Sequence, residues 1–377
     1  MREIYLDNAA TGFPKSDGVF AAIKAAYYGC GNGGRSGHAR AAAASRKIYG
    51  CREAVASLLG TDAESVVLCS GATSALNMAI KGLAKGEVLC SSMEHNAVLR
   101  PLYALSDAGI IKLRFFSPSF ESDEKTVQNA VDAMHRGLSA VVLTHASNVT
   151  GMCLPVRRIF DEARRRGALC ILDAAQTVGH TRVDFESTGA DVICIAGHKG
   201  LYGPLGTGAL AVRRGAKLRF RSLIEGGTGV ATRDREMPPK LPERLEAGSA
   251  DIMGIAGLEA AVNELRMEKE REKFLRLRLK QGMRSIKGVK LYGADADAVY
   301  MPLLAFNLRK TPSERVAEEL SRRGIYVRGG LHCAPLAHAA LGSGHYGAVR
   351  ISLGRGNTAS DVDEVLNVLE DIKDLQL

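Results

Sequence analysis

Between residues 64 and 214, short apolar runs alternate with longer segments of helical periodicity. The runs are continuously apolar instead of alternating with polar positions, which is typical of strands that helices cover on both faces. This part of the chain therefore predicts an α/β fold with a parallel sheet, and its strands are 66–70, 87–91, 140–145, 169–173, 192–196 and 208–212.

The remainder of the chain has a different pattern. Residues 233–246 are polar and rich in proline, which predicts a long surface excursion. Residues 263–290 are predicted to be helical, with an apolar side of Leu275, Leu279, Met283 and Ile286. A last helix is predicted to open near Ser360, with Asp363 at capping-box spacing and a buried stripe of Val362, Val365, Leu366, Leu369 and Ile372.

Composition excludes several classes of protein. With 377 residues, 46% apolar and 24% charged, the chain is neither disordered nor collagen-like nor a coiled coil. Its length predicts two domains at roughly 100 to 200 residues each. The 50 Lys and Arg exceed the 41 Asp and Glu by nine, so the net charge is +9. That surplus fits either an ordinary basic surface or attraction to an anionic partner.

The eight cysteines include no C-x-x-C pair, so we expect no metal site and a reducing, cytoplasmic location. The first residues lack a basic segment followed by an apolar stretch, and nowhere do 18 apolar residues run together. We therefore expect neither secretion nor insertion into a membrane.

Side chains that can bind ligands or take part in catalysis follow five of the predicted strands. Ligands of open parallel sheets bind beyond the carboxyl ends of the strands, so these segments should converge on one crevice. They are 70–73, 94–96, 145–148, 173–176 and 197–199.

The first of these segments, Ser70-Gly71-Ala72-Thr73, precedes a predicted helix. Free N–H groups and the positive end of the helix dipole would make it an anion site suited to a phosphate. Many similar turns hold no ligand, so this segment alone does not decide between the two interpretations.

Asp173 and Lys199 are separated by 26 residues, about one strand–helix–strand unit, which places a carboxylate and an amine on neighbouring strand ends. A lysine that loses its proton can form a Schiff base with a carbonyl. A carboxylate beside a pyridine nitrogen keeps that nitrogen protonated. The pair together describes a site for pyridoxal phosphate, whereas singly they fit a solvent-exposed lysine and a helix N-cap.

Eight segments resemble the class V aminotransferase family, and within it the cysteine desulfurase and selenocysteine lyase branch. They extend in the family's order from residue 5 to residue 336 and read YLDNAATG, GATSALN, MEHNAV, SNVTG, DAAQTVGH, GHKGLYGPLGTG, EAGSADIMGI and VRGGLHCAPL. The resemblance implies the aspartate aminotransferase-like fold (fold type I): a large domain with a mostly parallel seven-stranded sheet, and a smaller α+β domain. We expect the large domain at 15–260 and the small domain at 1–14 and 261–377.

The resemblance also implies the residues that hold the cofactor. Lys199 would bind pyridoxal phosphate covalently, Asp173 would contact its ring nitrogen, Gln176 and Asn148 its ring hydroxyl, and His95 its face. The phosphate contacts implied are Ala72, Thr73, His198 and, from the second subunit of a homodimer, Ser249.

For the substrate, the resemblance implies Arg350 as the partner of the carboxylate, with Asn148 and Ala10 nearby, and Cys333 as the nucleophile that takes the sulfur. Independently of any resemblance, the Gly-rich surroundings of Cys333 predict an exposed thiol, and a protonated His332 together with Arg328 would lower its pKa. An inert core cysteine is the alternative.

Two positions depart from the family pattern. Ala196 stands where a serine is common, which removes one possible phosphate contact, and Leu331 replaces the first histidine of a common pair, which puts the choice of substrate in doubt. The interval of 17 positions between Cys333 and Arg350 resembles the branch whose cysteine loop is short and ordered, and which hands sulfur to a dedicated acceptor protein.

The expected activity is conversion of L-cysteine to L-alanine, with the sulfur left on Cys333 as a persulfide. His95 is the expected proton shuttle. Alternatives are a selenocysteine lyase acting on L-selenocysteine, a C–S lyase that does not use Cys333, and a non-catalytic, RNA-associated scaffold that exploits the basic charge. Intact Asp173, Lys199 and Arg350 argue against the scaffold, so we expect no nucleic-acid partner and no membrane partner.

Overall fold

The computed structural model describes residues 2–34, 37–293 and 299–374. Its strands are β1 (Ile4–Tyr5), β2 (Val66–Cys69), β3 (Gly86–Ser91), β4 (Ile111–Phe116), β5 (Leu138–Thr144), β6 (Leu169–Asp173), β7 (Val192–Ala196), β8 (Gly208–Val212), β9 (Val289–Tyr292), β10 (Leu303–Leu308), β11 (Ile325–Tyr326) and β12 (Val349–Ser352). Its α-helices are α1 (Asp17–Gly29), α2 (Ala39–Leu59), α3 (Ala72–Leu83), α4 (Asn96–Asp107), α5 (Asp123–Asp132), α6 (Val156–Arg165), α7 (Phe185–Thr188), α8 (Ile252–Asn263), α9 (Lys269–Ser285), α10 (Ser313–Arg322), α11 (Pro335–Leu341) and α12 (Ala359–Ile372).

A seven-stranded sheet in the order β2-β8-β7-β6-β5-β3-β4 forms the centre of the larger part. Only β8 runs antiparallel to its two neighbours, and the other adjacent pairs are parallel. The predicted α/β class with a mostly parallel seven-stranded sheet is therefore confirmed. All six strands expected from the apolar runs are present, with ends shifted by at most two residues.

The sequence pattern missed β4. This strand lies at the edge of the sheet, and its sequence, IKLRFF, places the charged Lys112 and Arg114 among apolar residues. Lys112 and Arg114 occupy alternate positions and so lie on one face of the strand, which breaks the continuous apolar run that marks strands buried on both faces.

Helices cover both faces of the sheet. Along β5, Val141 and Leu143 face one apolar core, whereas Ala140 and Val142 face the other. This two-sided burial explains why the strand reads as an unbroken apolar run. It also leaves the strand ends as the place where polar side chains can gather.

A second apolar core is built by the C-terminal third of the chain and its first residues. The three-stranded sheet β12-β10-β9 is antiparallel, and β1 pairs in parallel with β11, so that Ile4 lies opposite Ile325. Helices α9, α10 and α12 pack on these strands. The division into 15–260 and 1–14 with 261–377 follows this arrangement and remains a proposal.

Three predicted segments are corrected in detail. The helix predicted over 263–290 covers Lys269–Ser285. The last helix begins at Ala359, near Ser360 as predicted, but its capping box is Thr358 with Asp361, which bond each other's backbone N–H groups, and not Ser360 with Asp363. The 233–246 excursion consists of turns, and it is anchored to the body of the protein by the buried Leu245 and by the ion pair of Glu246 with Arg52.

The described ranges lack two kinds of feature. No helix in the described part of the chain is both long and apolar enough to cross a bilayer. Within the same residues, no group of three or more His, Cys, Asp or Glu could hold a metal ion.

Candidate active site

The five reactive segments lie at one edge of the central sheet. Strands β3, β5, β6 and β7 are parallel, and β2 points the same way because it and β7 are both antiparallel to the intervening β8. Their carboxyl ends therefore open on the same side. In the register of β6 and β7, Asp173 lies opposite Cys194, so Lys199 follows the end of the strand beside Asp173.

Lys199 and Asp173 interact electrostatically in a buried site. Burial lowers the pKa of the Lys199 amine to about 8, and the attraction of Asp173 opposes that shift. Burial raises the pKa of Asp173, while an N–H bond from Ala175 at 2.9 Å and the charge of Lys199 favour its ionised form. An amine with this pKa is partly neutral near pH 8, the form that attacks a carbonyl.

The predicted anion site lies at the start of α3. Gly71 caps this helix at φ 130°, a conformation that glycine adopts readily. Gly208 approaches it so closely that a Cβ there would lie 2.6 Å from the Cα of Gly71. The N–H groups of Ala72 and Thr73 are thus placed at a helix N-terminus, where an anion is stabilised.

His198 lies beyond the end of β7. Its Nδ1 atom is buried and has no hydrogen-bond partner among the described residues. Burial, then the positive charges of Lys199 and Lys15, lower the pKa of His198 to about 4, so its ring is neutral at pH 7. A buried, unpartnered ring nitrogen is the kind of group that a bound ligand satisfies.

His95 is the N-cap of α4, and its Nδ1 accepts a hydrogen bond from the Ala97 N–H at 2.9 Å. Burial is the main cause that lowers the pKa of His95 to about 4, and the charge of Lys199 adds to it. The ring is therefore neutral, with its proton on Nε2. In this state His95 is a hydrogen-bond donor at Nε2, and it could accept a proton only by losing the bond to Ala97.

The two predicted amide side chains near the cofactor hold backbone carbonyls. The Gln176 amide donates to the carbonyl of Ala9 at 3.1 Å, beside Ala10 in the N-terminal segment. The Asn148 amide donates to the carbonyl of His332 at 2.6 Å. Both side chains therefore connect the sheet edge to segments that are remote in sequence.

Ser249 is exposed in the single chain that the structure contains. Its predicted contact is with the cofactor of a second subunit, so its role stays a prediction.

Arg350 is buried at this edge, with 2% of its surface exposed. It donates to the carbonyl of Asn148 at 2.9 Å and to the Asp7 carboxylate at 2.7 Å, while its buried Nε has no partner in the described ranges. Burial is the main cause that lowers its pKa, yet an arginine remains charged. The guanidinium is thus fixed in orientation and retains a free N–H for a carboxylate.

Cys333 is the only exposed cysteine of the eight. It and His332 both have positive φ, 56° and 49°, a conformation that costs about 1–3 kcal/mol per residue. The loop is held there by the bond from Asn148 to His332 and by the Asn96 N–H, which donates to the Cys333 carbonyl at 2.7 Å. A cavity of about 260 Å³ borders Cys333 and His95 and is open to a ligand.

The expectation that a protonated His332 activates the thiol is wrong. Burial, followed by the charge of Arg350, lowers the pKa of His332 to about 2, so its ring is neutral. Its Nε2 bonds the carbonyl of Ala348 at 2.9 Å, so the side chain anchors the loop.

Sequence reasoning assigned no role to Asp7, Asn96 or Glu94. The first two hold Arg350 and the Cys333 loop. Glu94 is fully buried, accepts the Ser91 hydroxyl at 2.5 Å and accepts the Thr144 N–H at 2.8 and 3.0 Å, and so joins the ends of β3 and β5. Each of the three lies in a motif of the family, and the sequence contains no other sign of its role.

Glu94 should make stability depend on pH. Burial is the main cause that raises its pKa from 4.5 to about 8, so the folded protein retains a proton that the unfolded chain releases between these values. Its contribution to stability is therefore complete below pH 4.5 and is lost as the pH rises to about 8. We expect the fall in melting temperature from pH 5 to pH 9 to be shallower in Glu94→Gln than in the wild type.

The control for this measurement is Glu121→Gln, because Glu121 is exposed. Its melting curve should run parallel to that of the wild type. If the Glu94→Gln curve did the same, Glu94 would not be the group responsible.

These features fit pyridoxal phosphate. The site holds a buried amine with a lowered pKa, a buried carboxylate coupled to it, a helix N-terminus and an unpartnered buried histidine nitrogen. The amine matches an aldehyde, the carboxylate matches a ring nitrogen, and the helix N-terminus together with the histidine nitrogen matches a phosphate. Fold and site together define a Schiff-base enzyme with an α/β core.

The chain belongs to the class V aminotransferase family, whose model matches residues 4–365. Enzymes of this family use pyridoxal phosphate. A probable cysteine desulfurase of Methanothermobacter thermautotrophicus is 32% identical over 90% of this chain and 87% of its own length. The cysteine desulfurase IscS of Dictyoglomus turgidum is 29% identical over 98% of this chain and 94% of its own length.

Solved structures with the same fold as this chain are also cysteine desulfurases. The cysteine desulfurase of Thermococcus onnurineus NA1 superposes with a TM-score of 0.89 at 28% identity, covering 98% of this chain and 94% of that one. The cysteine desulfurase CsdA of Escherichia coli gives 0.85 at 27% identity, with the same two coverages.

Proposed function

We propose that this chain is a pyridoxal phosphate-dependent cysteine desulfurase that converts L-cysteine to L-alanine and collects the sulfur on Cys333. The observation that carries the proposal is the joint placement of three groups at one sheet edge: the coupled pair of Lys199 and Asp173, the fixed guanidinium of Arg350, and the exposed thiol of Cys333. The family match and the names of the relatives support it.

The residues that would hold the cofactor are Lys199 at the aldehyde, Asp173 at the ring nitrogen, Gln176 and Asn148 at the ring hydroxyl, and His95 at the ring face. The phosphate would be held by Ala72, Thr73, His198 and, in a homodimer, the second copy of Ser249. Once bound, the cofactor supplies an electron sink for the carbon next to the substrate amine.

Lys199 is the base in this proposal, since its pKa of about 8 leaves part of the amine neutral at the pH of the reaction. His95 supports it as a hydrogen-bond donor. The role of His95 as a shuttle, expected from the sequence, conflicts with the Nδ1 bond to Ala97, and we assign it the donor role instead.

Cys333 accepts the sulfur. Its thiolate attacks the sulfur of the substrate, an S–S bond forms, and the C–S bond of the substrate breaks. The electron pair of that bond stays with the carbon fragment, which takes up a proton and leaves as alanine. Cys333 remains as a persulfide, so L-cysteine and a thiol yield L-alanine and a persulfide with no external oxidant.

Arg350 should determine the affinity for substrate. Arg350→Lys keeps the charge but loses the planar guanidinium that Asp7 and Asn148 hold in a fixed orientation. We expect the KM for L-cysteine to rise by about tenfold or more, since one charge-assisted hydrogen bond contributes about 1.5–3 kcal/mol. Steady-state kinetics measure this change.

Arg355→Lys is a matched control for Arg350→Lys, because Arg355 stacks on Tyr202 and contributes no group to the proposed site. Its KM should stay near that of the wild type. An unchanged KM in Arg350→Lys would remove this residue from substrate binding.

The function is tested by incubating the cofactor-loaded protein with L-cysteine and dithiothreitol and measuring alanine and sulfide. We expect equal amounts of both. The relatives named above are cysteine desulfurases and do not favour the selenocysteine lyase alternative, which a parallel assay with L-selenocysteine examines. Absence of alanine in both assays would overturn the proposal.

Three further features belong to the proposal. The protein acts as a homodimer, so that Ser249 reaches the neighbouring site, and it is cytoplasmic, in keeping with eight cysteines that form no disulfide. The persulfide of Cys333 passes to an acceptor protein, which the exposure of this residue permits.

A further inference from the structure

Six cations lie on α3, on α4, and in the segments that follow α3 and β8. They line two cavities, and none of them makes an ion pair within the ranges that the structure describes. We call them the basic track: Arg100, Lys81, Lys85, Lys217, Arg219 and Arg221.

Helix α6 provides a contrast to the basic track. All four arginines of this helix are paired with carboxylates, and so is Arg166, which follows it. Arg213, which follows β8, is paired with Asp191. Among the residues described, Asp191 is the only acidic one that lines the larger cavity, and Arg164 and Arg213 already contact it at 3.4 Å. The basic track therefore retains its charge for a ligand from outside the chain.

The basic track leads to the reactive thiol. The smaller cavity, about 260 Å³, includes Cys333, Arg100 and Lys81 in its lining. Lys81 also lines the larger cavity of about 700 Å³, so the two cavities meet at this residue. Thr73, Asn77 and Lys81 are four residues apart on α3, which puts them on one helix face over about 12 Å.

The fold brings the second half of the basic track to the first. The Arg221 N–H donates to the carbonyl of Gly82 at 3.0 Å, which fastens the segment after β8 to the C-terminal end of α3. The larger cavity also has apolar lining from Leu83, Leu105 and Leu218, and Ile110 in its wall is 47% exposed. The lining of the larger cavity thus combines positively charged with apolar side chains.

We infer that the basic track is a docking surface for the sulfur acceptor, and that it binds an acidic segment of that protein while the acceptor thiol reaches Cys333. This inference rests on the proposed function. Charge complementarity with six unpaired cations favours an acidic segment. The apolar residues that line the larger cavity can bind an apolar side chain of that segment. A polypeptide fits better than a small anion because the surface extends through two cavities and ends at the thiol.

The transfer is a thiol exchange. The acceptor thiolate attacks the outer sulfur of the Cys333 persulfide, an S–S bond forms on the acceptor, and the S–S bond to Cys333 breaks. Cys333 leaves as a thiolate and takes the proton that the acceptor thiol released, so the step needs no oxidant or reductant.

Three synthetic peptides serve as probes of the basic track. Each carries one cysteine, a neutral spacer of four residues that spans about 13 Å when extended, and a run of four Glu, four Gln or four Lys. Alanine release at saturating L-cysteine is measured against peptide concentration, after subtraction of the rate without peptide. We expect the Glu peptide to have a KM about tenfold below that of the Gln peptide at low salt, with the difference shrinking in 0.5 M NaCl.

The variant is Lys85→Glu with Arg219→Glu, both exposed and outside the catalytic site. It should lose the preference for the Glu peptide and gain one for the Lys peptide, while its rate with dithiothreitol stays at the wild-type level. The control, Lys287→Glu with Lys310→Glu, changes net charge equally at exposed positions of the C-terminal part and should keep the preference of the wild type.

Equal KM values for the Glu and Gln peptides in the wild type would overturn the inference, as would equal losses in the variant and the control. Displacement of a labelled Glu peptide by RNA at lower concentration than by unlabelled Glu peptide would overturn it in favour of a nucleic-acid surface. Failure to release alanine even with dithiothreitol would instead count against the proposed function.

Discussion

Replacement of Lys199 with alanine is expected to lower the rate of alanine release by about 10⁴-fold, because the variant lacks both the amine that binds the cofactor and the base of the reaction. Burial sets the pKa of this amine at about 8, and Asp173 lies beside it. The rate is measured under saturating L-cysteine. In the wild type, borohydride should fix the cofactor to the peptide that contains Lys199.

Lys15 provides a matched control for this prediction. Burial also lowers its pKa to about 8, yet its amine is bonded to the carbonyls of Gly12 and His198 and is not coupled to Asp173. We expect Lys15→Ala to change the rate far less than Lys199→Ala. Equal losses, or a Lys199→Ala variant that retains its rate, would contradict the assignment.

Replacement of Cys333 with alanine is expected to lower turnover by about two orders of magnitude or more while leaving the KM for L-cysteine nearly unchanged. The sulfur-accepting thiol is removed, but Arg350 still holds the carboxylate. Alanine keeps the Cβ atom, so the loop at φ 56° carries the same backbone strain as before. Mass spectrometry after incubation with L-cysteine should show one added sulfur on the Cys333 peptide of the wild type.

Cys30→Ala is the control for Cys333→Ala, because Cys30 is half-buried, follows the end of α1 and contributes no group to the proposed site. It should retain both turnover and the added sulfur on Cys333. Undiminished turnover in Cys333→Ala would refute the persulfide step and favour a C–S lyase that releases sulfide directly.

The basic track adds a second requirement for delivery of sulfur. Loss of Cys333 affects every acceptor, whereas charge reversal in the basic track should affect only acidic ones. The two sets of variants therefore separate the chemistry of the thiol from recognition of the partner.

Much of the fold could be predicted from the sequence because its strands are local signals. Six continuous apolar runs identified six strands of the central sheet, while β4 escaped because Lys112 and Arg114 place charges on one of its faces. The separation of Asp173 and Lys199 placed them on adjacent strands, since one strand–helix–strand unit has a nearly fixed length.

The protonation states of the histidines in the site could not be predicted in the same way. The sequence favoured a cationic His332 and a proton-shuttling His95, whereas burial makes both rings neutral and the bond to Ala97 fixes the tautomer of His95. Such states depend on desolvation and on neighbours from other elements, which a linear pattern does not contain.

The sequence by itself determined the α/β class, the strands that carry the site, and the spacing of the carboxylate and the amine, because each depends on short-range periodicity. Only the tertiary structure decided that Asp7 orients Arg350, that Asn96 and Asn148 hold the Cys333 loop, and that the basic track leads to the thiol. The hydrogen bonds among them join residues 184 to 343 positions apart, and their geometry exists only once the two apolar cores have packed.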